Sequence, residues 1–281
     1  MANRSLTLAA PAKLNITLRI LGKRKDGMHD INSVMTPLEF ADEVTVSVRD
    51  DRLIRRRWTH PQVRDDLCVR AARLFQQKTR ATKGADIKVQ KHIPVGGGLG
   101  GGSANAAAVI WALNRLWNVR WGRRKLMEFG ALLGADVPFF LFGRAAQARG
   151  VGDELTPARN AFLRRHSHYL LTFPKAVSHT STAYEEYEKL IKMKSKCTIS
   201  GKLVDNSNDL AEAVFKLHPR VAEAAGLLRQ TTGEARLSGS GGCVYAAFVN
   251  RKDAENARIA LPKKLASVVT SAFVGKHVFG E

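Results

Sequence analysis

Pro94-Val-Gly-Gly-Gly-Leu-Gly-Gly-Gly-Ser103 carries glycine at six of seven consecutive positions, broken only by Leu99. Glycine lets a backbone reach positive φ and approach a ligand closely, so that successive N–H groups can converge on an anion. The flanks give the run its place in a fold. Before it, Ala85, Ile87 and Val89 alternate with polar residues, and Ala85–His92 predicts a strand that Pro94 closes. After it, Ser103–Trp117 is apolar on nearly every side, the pattern of a buried helix. The N-terminus of such a helix adds partial positive charge to the loop amides. The order strand, glycine loop, buried helix therefore predicts a phosphate-binding turn. Within it Ser103 caps the helix, binds a phosphate oxygen, or does both in different states.

The kind of turn follows by exclusion. Gly96-x-Gly98-x-x-Gly101 fits the dinucleotide pattern, but a run this rich in glycine fits it almost automatically. The dinucleotide fold also requires an acid about twenty residues on, and Arg115–Arg124 is basic with no acid. A Walker A loop ends in Gly-Lys-Ser/Thr, and this loop has no lysine.

Working outward, Leu6–Ala10, Leu14–Ile20 and Glu43–Val48 alternate as strands, and Asp66–Lys78 has helical spacing with Asp65 or Asp66 at its start. Leu126–Leu133 predicts another helix. Asp153–Asn160, with Pro157, interrupts the pattern and suggests a lobe boundary, giving lobes 1–157 and 158–281. The second lobe holds predicted strands at Tyr169–Phe173 and Cys243–Val249. Its predicted helices lie at Ala183–Lys192, Leu210–Leu217 and Ala222–Arg229, and Met193–Asn208 reads as an exposed loop. Strands and helices mix without regular parallel alternation, so the expected class is α+β.

Composition narrows the classes. The chain has 281 residues, 44% of them hydrophobic, and suits a two-lobed globular protein. Its longest apolar run, Ala131–Phe142, is too short to span a bilayer and contains Asp136. The apolar part of the N-terminus is too short for a secretion signal, so a cytoplasmic protein without a membrane partner is expected. Cys68, Cys197 and Cys243 lack metal or redox spacing and are expected to be reduced packing residues. The net charge of +20 suits an anionic partner or a solvated basic surface. Its clusters, Arg55–Arg57, Arg123–Lys125 and Lys192–Lys196, are short and lack the interleaved aromatics of single-strand binders, so no nucleic acid is expected.

Three motifs in order carry a resemblance. Pro11-Ala-Lys-Leu-Asn15, the Pro94–Ser103 loop and Leu237-Ser-Gly-Ser-Gly-Gly-Cys243 are similar to the three motifs of the GHMP kinases. Lys25-Asp-Gly-Met-His29 and Gly134-Ala-Asp-Val-Pro-Phe-Phe140 narrow the match to the branch whose acceptor alcohol carries a cytidine diphosphate. The similarity runs from about residue 8 to 250 and thins after Thr182. It implies a two-lobed α+β kinase: a ribosomal-protein-S5-domain-2-like N-terminal ATP-binding lobe and a ferredoxin-like C-terminal substrate-side lobe. It implies ATP and Mg2+ as cofactors, a small-molecule cytidine diphosphate substrate, and a monomer or weak homodimer. A GHMP kinase for homoserine or mevalonate is the nearest rival, and a basic nucleic-acid binder with an S5-like lobe a more distant one.

Residue by residue, Asp136 interrupts an apolar stretch, where a carboxylate is rarely left without a partner or a task. A kinase acting on an alcohol needs a base for the hydroxyl proton, and Asp136 suits that role. Lys13 and Asn15 share a strand face. Alone, Lys13 reads as a strand-edge lysine, but the resemblance makes Lys13 and Asp136 the catalytic pair. The resemblance assigns nucleotide binding to Lys91, Pro94, Val95, Gly96, Gly97, Gly98, Leu99, Gly100, Gly101, Gly102, Ser103 and Ala104. To the substrate it assigns Asn15, Met28, His29, Asp136, Thr180 and Tyr184, with His29 on the cytosine and Tyr184 stacking. Two positions depart from the family: Met28 stands where an aromatic residue usually precedes the histidine, and Asp66 stands where Asn is usual. No Mg2+ ligands are identified beyond Ser103 and the phosphates themselves.

Overall fold

The computed structural model describes residues 4–57, 66–176, 179–194 and 207–280. Two long strands, β1 (Ser5–Lys23) and β2 (His29–Arg49), form an antiparallel hairpin that merges the two separately predicted N-terminal strands into one. In β2, Val44 and Val46 are buried and their neighbours are not, as the alternation requires. The free edge of β2 pairs with β4 (Gly84–Gln90) along Glu43–Arg49 and with β5 (Ala146–Arg149) along Ser33–Met35. β3 (Ile54–Arg57) and β6 (Glu154–Pro157) extend the sheet beyond β4 and β5.

Four helices pack on this sheet through one apolar cluster: α1 (Leu67–Thr79), α2 (Gly101–Leu116), α3 (Arg123–Ala131) and α4 (Val137–Phe142). Asp66 caps α1, its side chain accepting from the amides of Cys68 and Val69, while Asp65 lies outside the described residues. Cys68, Ala71, Ala72 and Phe75 form the buried stripe. α2 is buried nearly all round. α3 begins three residues before its predicted start, because its first turn, Arg123–Lys125, is charged and carries no apolar signal.

The second lobe comprises α5 (Ala161–Arg165), β7 (His168–Phe173), α6 (Thr180–Lys194), α7 (Ala211–Leu217), α8 (Pro219–Thr232), β8 (Arg236–Leu237), β9 (Val244–Phe248), α9 (Arg251–Ala260) and β10 (Ala266–Ser271). Its antiparallel sheet runs β10-β7-β9-β8. Nothing in the sequence pattern marks α9 or β10. α9 buries only Ala254, which leaves no apolar stripe to read. The predicted exposed loop at Met193–Asn208 is corrected at both ends. Met193 lies in α6, and Asn208 is buried, its amide donating to the carbonyls of Leu237 and Gly239. Cys197 lies outside the described residues. Cys68 and Cys243 are unpaired, and burial pushes both thiols up to about 12, in keeping with packing residues.

The second sheet is buried on both faces. Leu170, Val244 and Ala246 face its own helices, whereas Tyr169, Leu171 and Tyr245 face β1 and β2. β1 threads all three cores: Leu8 and Ala10 lie in the first-lobe core, Ala12, Leu14 and Ile16 between the sheets, and Leu18 in the second-lobe core. Bulges near Pro11/Lys13 and Asn15/Thr17 let one strand serve these surfaces in turn. We propose the lobe boundary at 157/158, after β6. The end of the chain returns to the first lobe. His277 stacks on Trp111 of α2 and bonds the Leu141 carbonyl of α4, and Phe279 joins the first core. Among the described residues no helix is long and apolar enough to cross a membrane.

Candidate active site

The root of the glycine loop, just after β4, is held by a single buried carboxylate. Asp42 of β2 accepts the amides of His92 (2.7 Å) and Ile93 (2.9 Å) and pairs with Lys91. Lys91, expected at the nucleotide, pairs with Asp42 at the root of the loop, and a Cβ on Gly101 would fall 3.1 Å from its Nζ. Leu99 is buried between the lobes, Val95 is exposed, and the Leu99 carbonyl accepts the Lys13 amide at 2.9 Å. Gly98 has φ +73°, and a Cβ there would fall 2.5 Å from the Ser238 carbonyl oxygen. A Cβ on Gly241 would fall 2.0 Å from the Gly98 nitrogen. The Pro94–Ser103 and Ser238–Gly242 loops thus pack main chain against main chain, joined by Cys243 N–H to Gly97 O at 3.0 Å.

α2 starts two residues earlier than predicted. Gly100, in the left-handed region, is its N-cap, and no side chain caps the helix. Ser103 is therefore not the cap. It sits inside the first turn and lines the cavity described below. The first backbone bond runs from Ala104 N–H to Gly100 O, so the amides of Gly101, Gly102 and Ser103 have no intrahelical acceptor. Sixteen residues of aligned peptide dipoles stand behind those amides.

Lys13 and Asn15 project from the same face of β1, both buried. Lys13 Nζ donates to Asn15 Oδ1 at 2.5 Å, and Asn15 Nδ2 donates to Ser33 Oγ at 2.8 Å. Ser33 donates in turn to the Thr17 carbonyl, while Tyr245 donates its hydroxyl hydrogen to the Asn15 carbonyl from the second sheet. The amide of Asn15 is thus occupied in aiming Lys13. Lys13 Nζ lies 3.5 Å from Asp136 Oδ2. Asp136 is the N-cap residue of α4, whose residues are all buried, but its side chain makes no capping hydrogen bond. Its side chain is 37% exposed against 6% for Lys13. A rigid helix therefore holds an open carboxylate against a buried ammonium.

Both groups line a cavity of about 630 Å³ that lies between the lobes. Asn15, Met28, His29, Ser103, Thr180 and Tyr184 line it too, so the structure brings together every residue expected at the substrate. Tyr184 stacks on the His29 ring with centroids 4.7 Å apart. Burial, helped by the Asp136 charge, pushes the Tyr184 phenol up to about 12, so it stays neutral. Met28 is half exposed. Thr180 meets Ser240 at 2.9 Å, tying α6 to the second glycine loop.

Sequence reasoning missed Asp42, Ser33, Lys23 and Glu188. Glu188 had a usable signal: Thr180, Tyr184 and Glu188 recur every four residues on one face of α6. Among the described residues no group of three His, Cys, Asp or Glu side chains can hold a metal ion.

Comparison with known proteins bears on this geometry. The family model of the GHMP kinases N terminal domain matches residues 66–144, and that of the GHMP kinases C terminal matches 182–267. The chain is 39% identical over 272 residues to a 4-diphosphocytidyl-2-C-methyl-D-erythritol kinase of Pseudomonas savastanoi pv. phaseolicola, covering 96% of this chain and 92% of the relative. A crystal structure of a 4-(cytidine 5'-diphospho)-2C-methyl-D-erythritol kinase superposes with a TM-score of 0.78 at 29% identity, covering 96% of this chain and 100% of that one. A homoserine kinase from Cytophaga hutchinsonii shares the fold at 15% identity, with a TM-score of 0.69 and coverage of 99% and 97%.

Proposed function

As the chain belongs to the 4-diphosphocytidyl-2-C-methyl-D-erythritol kinase family of GHMP kinases, we propose the following account of its chemistry. It transfers the γ-phosphoryl group of ATP to the 2-hydroxyl of 4-diphosphocytidyl-2-C-methyl-D-erythritol, giving the 2-phosphate and ADP. The step belongs to the non-mevalonate route to isoprenoid precursors. The observation that carries the mechanism is the contact between Lys13 Nζ and Asp136 Oδ2, 3.5 Å apart on the wall of the interlobe cavity.

Asp136 accepts the proton of the 2-hydroxyl as that oxygen bonds to the γ-phosphorus and the bond to the β–γ bridging oxygen breaks. Lys13 opposes the negative charge that grows at the reacting oxygens. Asn15 keeps the ammonium on that line. The free amides of Gly101–Ser103 bind phosphate oxygens at the head of α2, in a cradle too tight for a Cβ at Gly98. His29, Met28, Thr180 and Tyr184 hold the cytidine diphosphate end. Mg2+, when bound, would neutralise negative charge on the phosphates of ATP. The Ser103 hydroxyl, at the cavity wall in the first turn of α2, would be its ligand from this chain, with the phosphates supplying most of the rest. We assign the enzyme to the cytoplasm as a monomer or weak homodimer, with no nucleic-acid or membrane partner.

A coupled assay of ADP release tests the reading. Turnover requires the cytidine diphosphate acceptor, and strong turnover of homoserine or mevalonate instead would overturn the substrate. Asp136→Asn lowers kcat by roughly 10³-fold or more while ATP still binds. Near-normal kcat in that variant removes Asp136 as the base.

A further inference from the structure

His29 is held from three sides. Strand pairing sets Lys23 opposite His29 at the end of the β1–β2 hairpin. Tyr184 covers one face of the ring. Nε2 lies 3.1 Å from Glu188 Oε1, with the imidazole only 9% exposed. Glu188 is fixed in turn, because Lys23 Nζ donates to both of its oxygens at 2.7 and 2.9 Å. The hydrogen bond from Lys23, with its charge, holds the Glu188 carboxyl below the usual range. An ionised carboxylate only accepts hydrogen bonds.

A neutral imidazole has one N–H and one lone pair, and the bond made by one nitrogen decides the role of the other. A carboxylate oxygen 3.1 Å from Nε2 favours the proton on that nitrogen. Nδ1 hydrogen-bonds none of the described residues, and it is left as an acceptor on a ring that lines the cavity.

We propose that Glu188 is a specificity-determining positioning residue: by fixing His29 as the Nε2–H tautomer, it makes Nδ1 an acceptor that selects a pyrimidine edge bearing an amine over one bearing a carbonyl. The inference rests on the cytidine reading above. Cytosine offers an exocyclic N–H where uracil offers an oxygen. Against the Nδ1 lone pair the first forms a hydrogen bond, and the second sets lone pair against lone pair. Glu188 acts through His29 and does not itself hold the base.

The test assays wild type, Glu188→Ala and Glu188→Gln on the cytidine acceptor and on its uridine counterpart. Nitrogen-15 NMR of the His29 ring accompanies it at about pH 8, above the ordinary imidazole range. Wild type is expected to carry the proton on Nε2 and to favour the cytidine acceptor by about 100-fold or more in kcat/KM. Glu188→Ala raises KM for the cytidine acceptor about tenfold, leaves kcat within about twofold, and lowers the cytidine-to-uridine preference about tenfold. In Glu188→Gln the amide oxygen can still accept from Nε2–H, and the preference falls between the two. An unchanged preference in Glu188→Ala overturns the proposal. So does a wild-type His29 protonated on Nδ1, a measurement that needs no variant to fold. A wild-type enzyme inactive on both acceptors overturns the substrate reading instead, and the His29 tautomer still decides the role of Glu188.

Discussion

At the glycine end of the cavity the walls are main chain, and at the His29 end they are side chains. Gly98 and Gly241 approach so closely that a Cβ on either meets backbone atoms that cannot swing away. Across the cavity, His29 comes from β2, Tyr184 and Glu188 from α6, and Lys23 from β1, joined by stacking and ion pairing. A phosphate looks the same in every nucleotide, and a rigid set of amides suits it. A base must be told from other bases, which takes groups whose donors and acceptors can be set. The two ends should therefore answer substitution differently. The cradle should lose fold and ligand together, whereas the base end should change selectivity on an intact fold.

Gly98→Ala is the strongest way to break that contrast. The new Cβ would sit 2.5 Å from the Ser238 carbonyl oxygen at φ +73°. Left-handed strain and the backbone clash together cost roughly 3 kcal/mol or more, and the KM for ATP should rise steeply. Gly102→Ala is the matched control, because its Cβ meets nothing within 4 Å. Thermal melts without nucleotide check the pair. A Gly98→Ala protein as stable as Gly102→Ala would mean that the two loops are not locked together.

Asp42→Asn sharpens the contrast at the root of the cradle. Asn can still accept from the amides of His92 and Ile93, but it leaves Lys91 without its charge partner. The Asp42 side chain is fully buried and that of Lys91 is 18% exposed, so the loss should be roughly 2–3 kcal/mol, below that of a wholly buried pair. Urea denaturation measures it, and a loss under about 0.5 kcal/mol would show that the loop is held by its glycines alone.

The same contrast decides what the sequence alone makes legible. The cradle was legible because its parts are contiguous: a strand, six glycines and a buried helix announce themselves by composition and period. Lys13 and Asn15 were legible as a shared strand face. That Asp136 lies against Lys13 was not, since nothing local links β1 to the start of α4, and only the family resemblance paired them. Glu188 shares a helix face with Thr180 and Tyr184, but that signal is outweighed because a charged residue on an amphipathic helix reads as solvated surface. The packing of the second sheet on β1 was half visible: His168–Phe173 is apolar enough to be buried on both faces, but the alternation cannot say against what. Sequence period reports which side of an element is buried, and a pocket of side chains from several elements exists only once those sides have met.

Met28→Phe tests the smallest and most local difference. The turn before His29 is held by main chain and by Asp26: Arg24 N–H bonds the Met28 carbonyl at 2.8 Å, and Met28 N–H bonds Asp26 Oδ1 at 3.0 Å. The Met28 side chain takes no part in these bonds and is half exposed at the cavity wall, so its replacement should move stability by less than about 0.5 kcal/mol. A thioether already packs well on a ring, and an aromatic face adds roughly 0.5–1 kcal/mol to that. KM for the cytidine acceptor should therefore fall about two- to fivefold at constant kcat. The uridine acceptor should gain by the same factor, because stacking does not read the base edge. A gain confined to cytidine would mean that position 28 helps His29 to discriminate, and the division between a stacking wall and a reading edge would have to be redrawn. No gain on either acceptor would place the base beyond reach of position 28, and Tyr184 with His29 would then hold it alone.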